Sequence, residues 1–349
     1  MLREFLPRAS GGADVEPLLL GRYRSLIADY MRARALPLTR LSGKMVAYHM
    51  GWADEAGREL SVKTGKLIRP SLCLWACSAC GSDVPSALPV AAAIEWFHNF
   101  TLVHDDIQDG DRRRHGRETV WSLWGVPQAI NAGDAMQTLA FASIAKDSAY
   151  PERGLRAVAA IADAGLVVIE GQCLDLELEG DLDATLRDYL RMVAAKTGAL
   201  LAASLEAGAI TGGADNRVAS LFRRAGYLLG TAFQIRDDWL GMYGDPLLTG
   251  KSSTADANRY KMTFPVVAGV RAMSTLQRRR LRELFRARSS EPEPKLRALL
   301  DEVRCDELTR SAAQRYAEKA VAVIARSGIV KDALDAFEEV AYYVATRSH

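Results

Sequence analysis

The chain has 349 residues, 49% of them hydrophobic and 25% charged, with a formal net charge of +2. That is a globular balance, and it excludes the strongly basic surface by which proteins grip nucleic acid or an anionic membrane. Five cysteines without a secretory signal imply free thiols in a reducing cytoplasm, and no apolar run reads as reaching the ~18–20 residues of a membrane span.

Residues 1–16 lack an apolar core and read as a loose leader. Residues 17–349 read as one all-α domain. Alternating Val/Ile/Thr runs bounded by tight turns are nearly absent, while Ala and Leu recur at helical spacing. The spacing predicts helices over 17–35, 41–63, 67–80, 86–109, 118–123, 127–146, 151–178, 183–209, 215–241, 262–273, 275–287, 292–303, 307–325 and 329–347. Helix stops mark the joints: Gly81 with Pro85, Gly125 with Pro127, Pro151, Gly212-Gly213, and Gly244 with Pro246. The last 75 or so residues are amphipathic and read as packing helices.

The polar groups that interrupt these helices carry the chemistry. Lys66 and Arg69 stand three apart in Gly65-Lys66-Leu67-Ile68-Arg69-Pro70. Cys73, Cys77 and Cys80 have the spacing of a radical iron–sulfur motif. They also share one helix face, where free Cys packs as a small apolar residue, and the α/β barrel expected of that class is missing. The apolar run Ala91–Val103 ends in His104-Asp105-Asp106-Ile107-Gln108-Asp109. Asp105 and Asp109 then share a face, about 6 Å apart along the axis, with His98 two turns earlier. Carboxylates at a helix C-terminus oppose its dipole, so a metal or the following Arg112-Arg113-Arg114-His115 must compensate them. Glu170-Gly171-Gln172 with Asp175, and Lys196-Thr197, place polar groups inside further apolar helices. About 130 residues after the first cluster, Phe233-Gln234-Ile235-Arg236-Asp237-Asp238 repeats its logic. The loop that follows runs to Gly250-Lys251 but lacks a P-loop's glycine spacing and preceding strand. Buried carboxylates require pairing or metal. Two such faces opposed across a bundle would suit a hard cation bridging to a polyphosphate, with Lys as point charge and Arg as a bidentate fork.

Over about residues 60–265 the chain resembles the trans-isoprenyl diphosphate synthases of the polyprenyl synthetase family. The resemblance rests on motifs in order: Gly65-Lys66-x-x-Arg69-Pro70, His98-x(5)-His104-Asp105-Asp106-x-x-Asp109, Arg114-x-Gly116, Gly133-Asp134-Ala135, Gly171-Gln172-x-x-Asp175, Lys196-Thr197, Phe233-Gln234-x-x-Asp237-Asp238 and Gly250-Lys251. It implies a helical bundle of the isoprenoid synthase type with a central active-site cavity, and head-to-tail condensation of isopentenyl diphosphate with an allylic diphosphate. By resemblance, Asp105, Asp109 and Asp237 would bind three Mg²⁺ ions, with Asp106 and Asp238 in support. Arg114, Lys196, Lys251 and Lys261 would neutralise the allylic diphosphate, with Gln234 nearby. Lys66, Arg69 and His98 would hold isopentenyl diphosphate without metal, while Thr197 and Gln172 would hold the reacting ends. A homodimer is a further implication.

Two positions depart from the family's pattern. His115 stands where a second arginine usually helps bind isopentenyl diphosphate, and its charge depends on pH. Gly241 stands where many relatives carry a third aspartate. Product length is read from Thr101, Phe100 and Phe97, which lie four, five and eight positions before Asp105. By resemblance, the aromatic at the fifth position implies a C20 product, geranylgeranyl diphosphate, with C15 farnesyl diphosphate next and chains above C25 not expected. Phe97 would close the tunnel a turn deeper. Two rival readings are a type I terpene cyclase, which needs no second diphosphate site, and a non-catalytic partner subunit, which tends to lose one aspartate cluster.

Overall fold

The computed structural model describes residues 15–35, 40–60, 65–244, 260–287 and 293–348. Most of them are helical. In chain order the helices are α1 (Leu18–Arg22), α2 (Arg24–Ala35), α3 (Arg40–His49), α4 (Ile68–Ala79), α5 (Val84–Asp109), α6 (Val120–Trp124), α7 (Val126–Asp147), α8 (Pro151–Glu177), α9 (Leu186–Val193), α10 (Ala199–Thr211) and α11 (Asn216–Tyr243). The C-terminal group is α12 (Phe264–Ala272), α13 (Thr275–Ala287), α14 (Glu293–Asp301), α15 (Cys305–Ile324) and α16 (Lys331–Thr346). The expected all-α architecture is borne out. The expected leader falls almost wholly outside the described residues.

Helix α10 is the axis of the bundle. Its residues Ala199–Leu205 and Ala207–Thr211 are all buried, so it is apolar on every face and must be surrounded. Helices α4, α5, α8 and α11 do so. The contact with α4 needs a bare backbone: a Cβ on Gly208 would lie 2.2 Å from the Cys73 carbonyl oxygen. One apolar core lies among α4, α9, α10, α11 and the C-terminal helices, where Trp75 stacks on Phe222 and Phe337. A second fills α2, α3, α5, α7 and α8 around Trp96, Phe97 and Ile94.

Three boundaries differ from the sequence expectation, each for a local reason. The helix expected over 41–63 stops at His49. Gly51 takes a φ of +72°, and the Asp54 carboxylate accepts the Ala56 and Arg58 amides at 2.9 Å each, a turn that competes with helix. The helix expected over 183–209 begins at a capping box between Thr185 and Asp188 and is then split by a π-helical turn, Ala194–Gly198. Between α5 and α6 a minimal hairpin forms, β1 (Arg113–Arg114) against β2 (Arg117–Glu118). Its two-residue loop, His115-Gly116, has positive φ at both positions (+50° and +76°), the geometry that matches strand twist in tight hairpins. Histidine enters that left-handed region more readily than most side chains do.

The expectation that no segment is long and apolar enough to cross a membrane is corrected. Pro151–Glu177 and Leu186–Thr211 both qualify by length and composition. The second is largely buried inside the bundle, whereas the first is one-third buried.

Candidate active site

Helix α5 ends at Gly110, whose φ of +67° closes it. Its carboxylates divide between two environments. Asp106 is 2% exposed, and the Arg114 Nε on the hairpin donates to it at 2.8 Å. Arg114 also reaches Asp105 at 3.7 Å, so the hairpin supplies the positive charge that the helix end demands. Burial pushes the Asp106 carboxyl up to about 6, against the downward pull of Arg114. The Asp105 and Asp109 side chains are 20% and 4% exposed, and each meets a lysine. The Lys196 Nζ lies 3.3 Å from Asp105 and 2.6 Å from Asp175. The Lys261 Nζ lies 3.3 Å from Asp109 and 3.6 Å from Asp175. Two ammonium groups thus bridge three carboxylates from α5 and α8.

The π-helical turn joins the two aspartate clusters. Lys196 turns to the first, while the adjacent Thr197 hydroxyl donates to Gln234 Oε1 at 2.8 Å. Gln234 Nε2 donates to Asp238 at 2.9 Å. Asp238 also accepts the Tyr189 hydroxyl at 2.6 Å and the Phe264 amide at 2.8 Å. It is buried and spends its oxygens on the fold. Asp237 is the more exposed partner, with 29% side-chain exposure. Arg347, from the end of α16, donates to it at 2.5 Å.

The turn sits where it does because Gly171 of α8 lets it approach: a Cβ there would lie 2.2 Å from the Lys196 backbone nitrogen. Beside Gly171, Gln172 Nε2 is buried without a hydrogen-bond partner among the described residues.

A separate basic group gathers from α4 and α5. Arg69 Nη1 donates to His98 Nε2 at 3.2 Å. Burial and the nearby Arg69 charge hold His98 well below its ordinary pKa, so it is neutral and accepts. Arg69 Nε has no partner among the described residues, and its Cζ lies 5.8 Å from the Phe233 ring. Lys66 Nζ stands over Tyr343. Behind them, Asn99 donates to the buried Glu95 at 3.0 Å and contacts His49 at 3.1 Å. His115 sits at the hairpin tip, where its charge bears on His49.

Phe97 and Phe100 pack edge to face at 4.8 Å. A Cβ on Gly165 would come within 2.6 Å of Phe97 Cζ, so the ring is seated in a notch of α8. The Thr101 hydroxyl is turned back onto the His98 carbonyl at 2.7 Å. Cys73 and Cys77 are buried between helices, and burial pushes both thiols up. Packing accounts for that face. Lys251 lies outside the described residues.

The structure gathers Asp105, Asp106 and Asp109 around Arg114, Lys196 and Lys261 and ties Asp237 to Arg347 and Asp238 to Gln234 and Tyr189, whereas His104 turns to Asp134 of α7. Asp105 and Asp237 are part-exposed, at 20% and 29% of the side chain, and Asp106, Asp109 and Asp238 are not. Sequence reasoning missed Arg347, Tyr189 and the Glu95–Asn99–His49 network. Tyr189 reads as an ordinary apolar position of an amphipathic helix, and no local signal marks Arg347.

An all-helical bundle with two acidic helix segments, lysines bridging the first of them and a separate basic group defines a class of proteins equipped to handle polyanions. The chain belongs to the polyprenyl synthetase family, whose model matches residues 51–303. It is 37% identical over 334 residues to a (2E,6E)-farnesyl diphosphate synthase of Mycobacterium tuberculosis, covering 94% of this chain and 92% of that one. It is 39% identical over 264 residues to a geranylgeranyl diphosphate synthase of the same organism, covering 75% of each. Among solved structures, a polyprenyl synthetase from Streptomyces coelicolor A3(2) superposes with a TM-score of 0.87 at 35% identity, over 93% of this chain and 98% of that one.

Proposed function

We propose that the chain is a short-chain trans-prenyltransferase that condenses isopentenyl diphosphate with allylic diphosphates to give a C20 or C15 product. The observation that carries the reading is the pairing of two unlike anion sites: a carboxylate-and-lysine lattice at Asp105, Asp109, Asp175, Lys196 and Lys261, and a basic group at Lys66, Arg69 and His98. The similarity to farnesyl and geranylgeranyl diphosphate synthases supports the same reaction.

The donor set fits Mg²⁺. Asp105, Asp109 and Asp237 are hard oxygen donors, each paired with a basic side chain that a cation would displace, and the family resemblance gives three ions. When bound, the ions offset the negative charge that develops on a departing diphosphate. The chain's own residues do the rest. Lys196, Lys261 and Arg114 exchange carboxylate contacts for phosphate oxygens and bind the allylic diphosphate, joined by Lys251. Lys66, Arg69 and neutral His98 hold isopentenyl diphosphate, and the Arg69 Nε, which has no partner among the described residues, is a ready donor. His115 takes the place of an arginine beside that site. Thr197, Gln172 and Gln234 position the reacting ends. The apolar wall of α5 excludes water from the allylic cation. The proton lost at the end goes to the departing diphosphate. Phe100, Phe97 and Thr101 bound the growing chain.

The same reading gives a homodimer in the cytoplasm. Leu155, Ala159, Leu166, Ile169 and Cys173 are exposed along one stripe of α8, and Leu155 and Leu166 are 72% and 70% exposed. Such a stripe fits burial against a second copy. The catalytic reading is tested by inorganic diphosphate release from an allylic diphosphate. Release should require both Mg²⁺ and isopentenyl diphosphate. Release without isopentenyl diphosphate identifies a cyclase instead.

A further inference from the structure

Asp237 is tied to Arg347, which follows α16. Asp105 and Asp109 each have a lysine at 3.3 Å, a compact charge on a flexible stem, and Asp105 has Arg114 further off at 3.7 Å. Asp237 is balanced by a guanidinium that is fixed in place. Arg347 is 3% exposed, and its Nη2 donates to Asp237 Oδ1 at 2.5 Å. Its Nη1 donates to the Val344 carbonyl at 2.6 Å, and its Cζ lies 4.2 Å from the Phe233 ring. The neighbouring Arg236 completes the clamp from the other side. It donates to the Arg347 carbonyl at 2.7 Å and to the Thr346 carbonyl at 2.9 Å, and it stacks on Trp239 at 3.9 Å. Adjacent residues of α11 therefore hold the end of α16 by two opposite-running ties, Arg236 to its carbonyls and Asp237 to its guanidinium.

We infer that Arg347 is the resident counter-ion of Asp237 and competes there with a divalent cation, so that metal loading at Asp237 requires the Arg347 side chain to let go. A guanidinium and a dication on one carboxylate repel each other, and in a part-buried site that repulsion is weakly screened. The Arg236 tie is independent of Asp237, so the helix end stays docked while the Arg347 side chain moves. Arg347 is thus a positioning residue: it pairs with Asp237 and sets the cation concentration at which the site fills. The inference rests on the metal reading of Asp237 proposed above.

The test is calorimetric titration of Mg²⁺ into the full chain loaded with inorganic pyrophosphate, comparing wild type, Arg347→Gln and Arg347→Lys. Competition predicts Mg²⁺ binding at least about fivefold tighter in Arg347→Gln, the lower range of site-to-site coupling, with Arg347→Lys close to wild type because the charge is kept. Unchanged or weaker binding in Arg347→Gln overturns the inference, as does equal tightening in both variants. If Arg347→Gln fails to fold by circular dichroism, a chain ending at Thr346 serves, since its terminal carboxylate falls where Arg236 already donates. It should show the same tightening, and unchanged affinity there counts equally against competition. Absence of Mg²⁺ binding in wild type removes the metal reading of Asp237 itself, and the inference with it.

Discussion

At the scale of single residues, the two Asp-Asp pairs divide labour. Asp105 and Asp237 are part-exposed, at 20% and 29% of the side chain, and pair with Lys196 and Arg347. Asp106 and Asp238 are buried and hold the backbone and hairpin in place. Alanine at Asp105 or Asp237 should lower turnover by at least about a hundredfold, the scale of a lost electrostatic contact to the reacting centre, with the thermal unfolding midpoint little changed. Asp238→Ala should behave differently. It strands the Tyr189 hydroxyl, the Phe264 amide and the Gln234 amide, at about 1–3 kcal/mol for each buried group left unpaired, so its unfolding midpoint should fall clearly. Equal melting curves for Asp105→Ala and Asp238→Ala would contradict the division. The buried histidines make a prediction with a sign. Burial and the Arg114 charge hold His49 down at about 3, and His98 lies well below its ordinary value. Both stay neutral in the fold and take up a proton on unfolding below about pH 6.5. Their stabilising contribution is full above that pH and is lost as pH falls toward the folded values, by up to about 1.4 kcal/mol per pH unit for each. Urea midpoints at pH 7.5 and 5 should show the slope, and His49→Gln should flatten it.

At the scale of elements, the π-helical turn at Ala194–Gly198 decides the geometry of the site. One extra residue in the turn sends Lys196 to the first aspartate cluster and Thr197 to the second. Gly171 makes room for it. Gly171→Ala forces a Cβ onto backbone that cannot yield and should cost about 1–3 kcal/mol, with a fall in turnover that exceeds the loss of folded protein. Turnover per folded molecule equal to wild type would show that the turn's position is unimportant. These elements also mark where sequence reading succeeds and stops. The acidic clusters are legible because carboxylates inside apolar helices have few physical excuses. Lys196 and Thr197 are legible as polar groups in an alanine-rich run, but the π-turn that aims them apart is not, because its signal is the facing Gly171 on another helix. The stop at His49 is legible only in retrospect, in Gly51 and Asp54. Arg347 is illegible, since its partner stands 110 residues away and spacing carries no such information.

At the scale of the whole molecule, α10 is buried at every residue except Glu206, whereas α8 is apolar and one-third buried. The first needs no partner beyond the bundle. The second leaves Leu155, Leu166 and Ile169 in solvent, which a second copy would cover. Light scattering at micromolar concentration should give twice the 38.1 kDa chain mass, and Leu166→Asp should shift it toward the single chain. A monomeric mass for the wild type would contradict the dimer while leaving the site untouched. The most direct test of the account is a product assay with purified chain, Mg²⁺, labelled isopentenyl diphosphate and each of the C5, C10 and C15 allylic diphosphates in turn, with the dephosphorylated alcohols read by mass. The account predicts elongation that stops at C20 or C15. No elongation from any starter, with Mg²⁺ and diphosphate both bound, would contradict it.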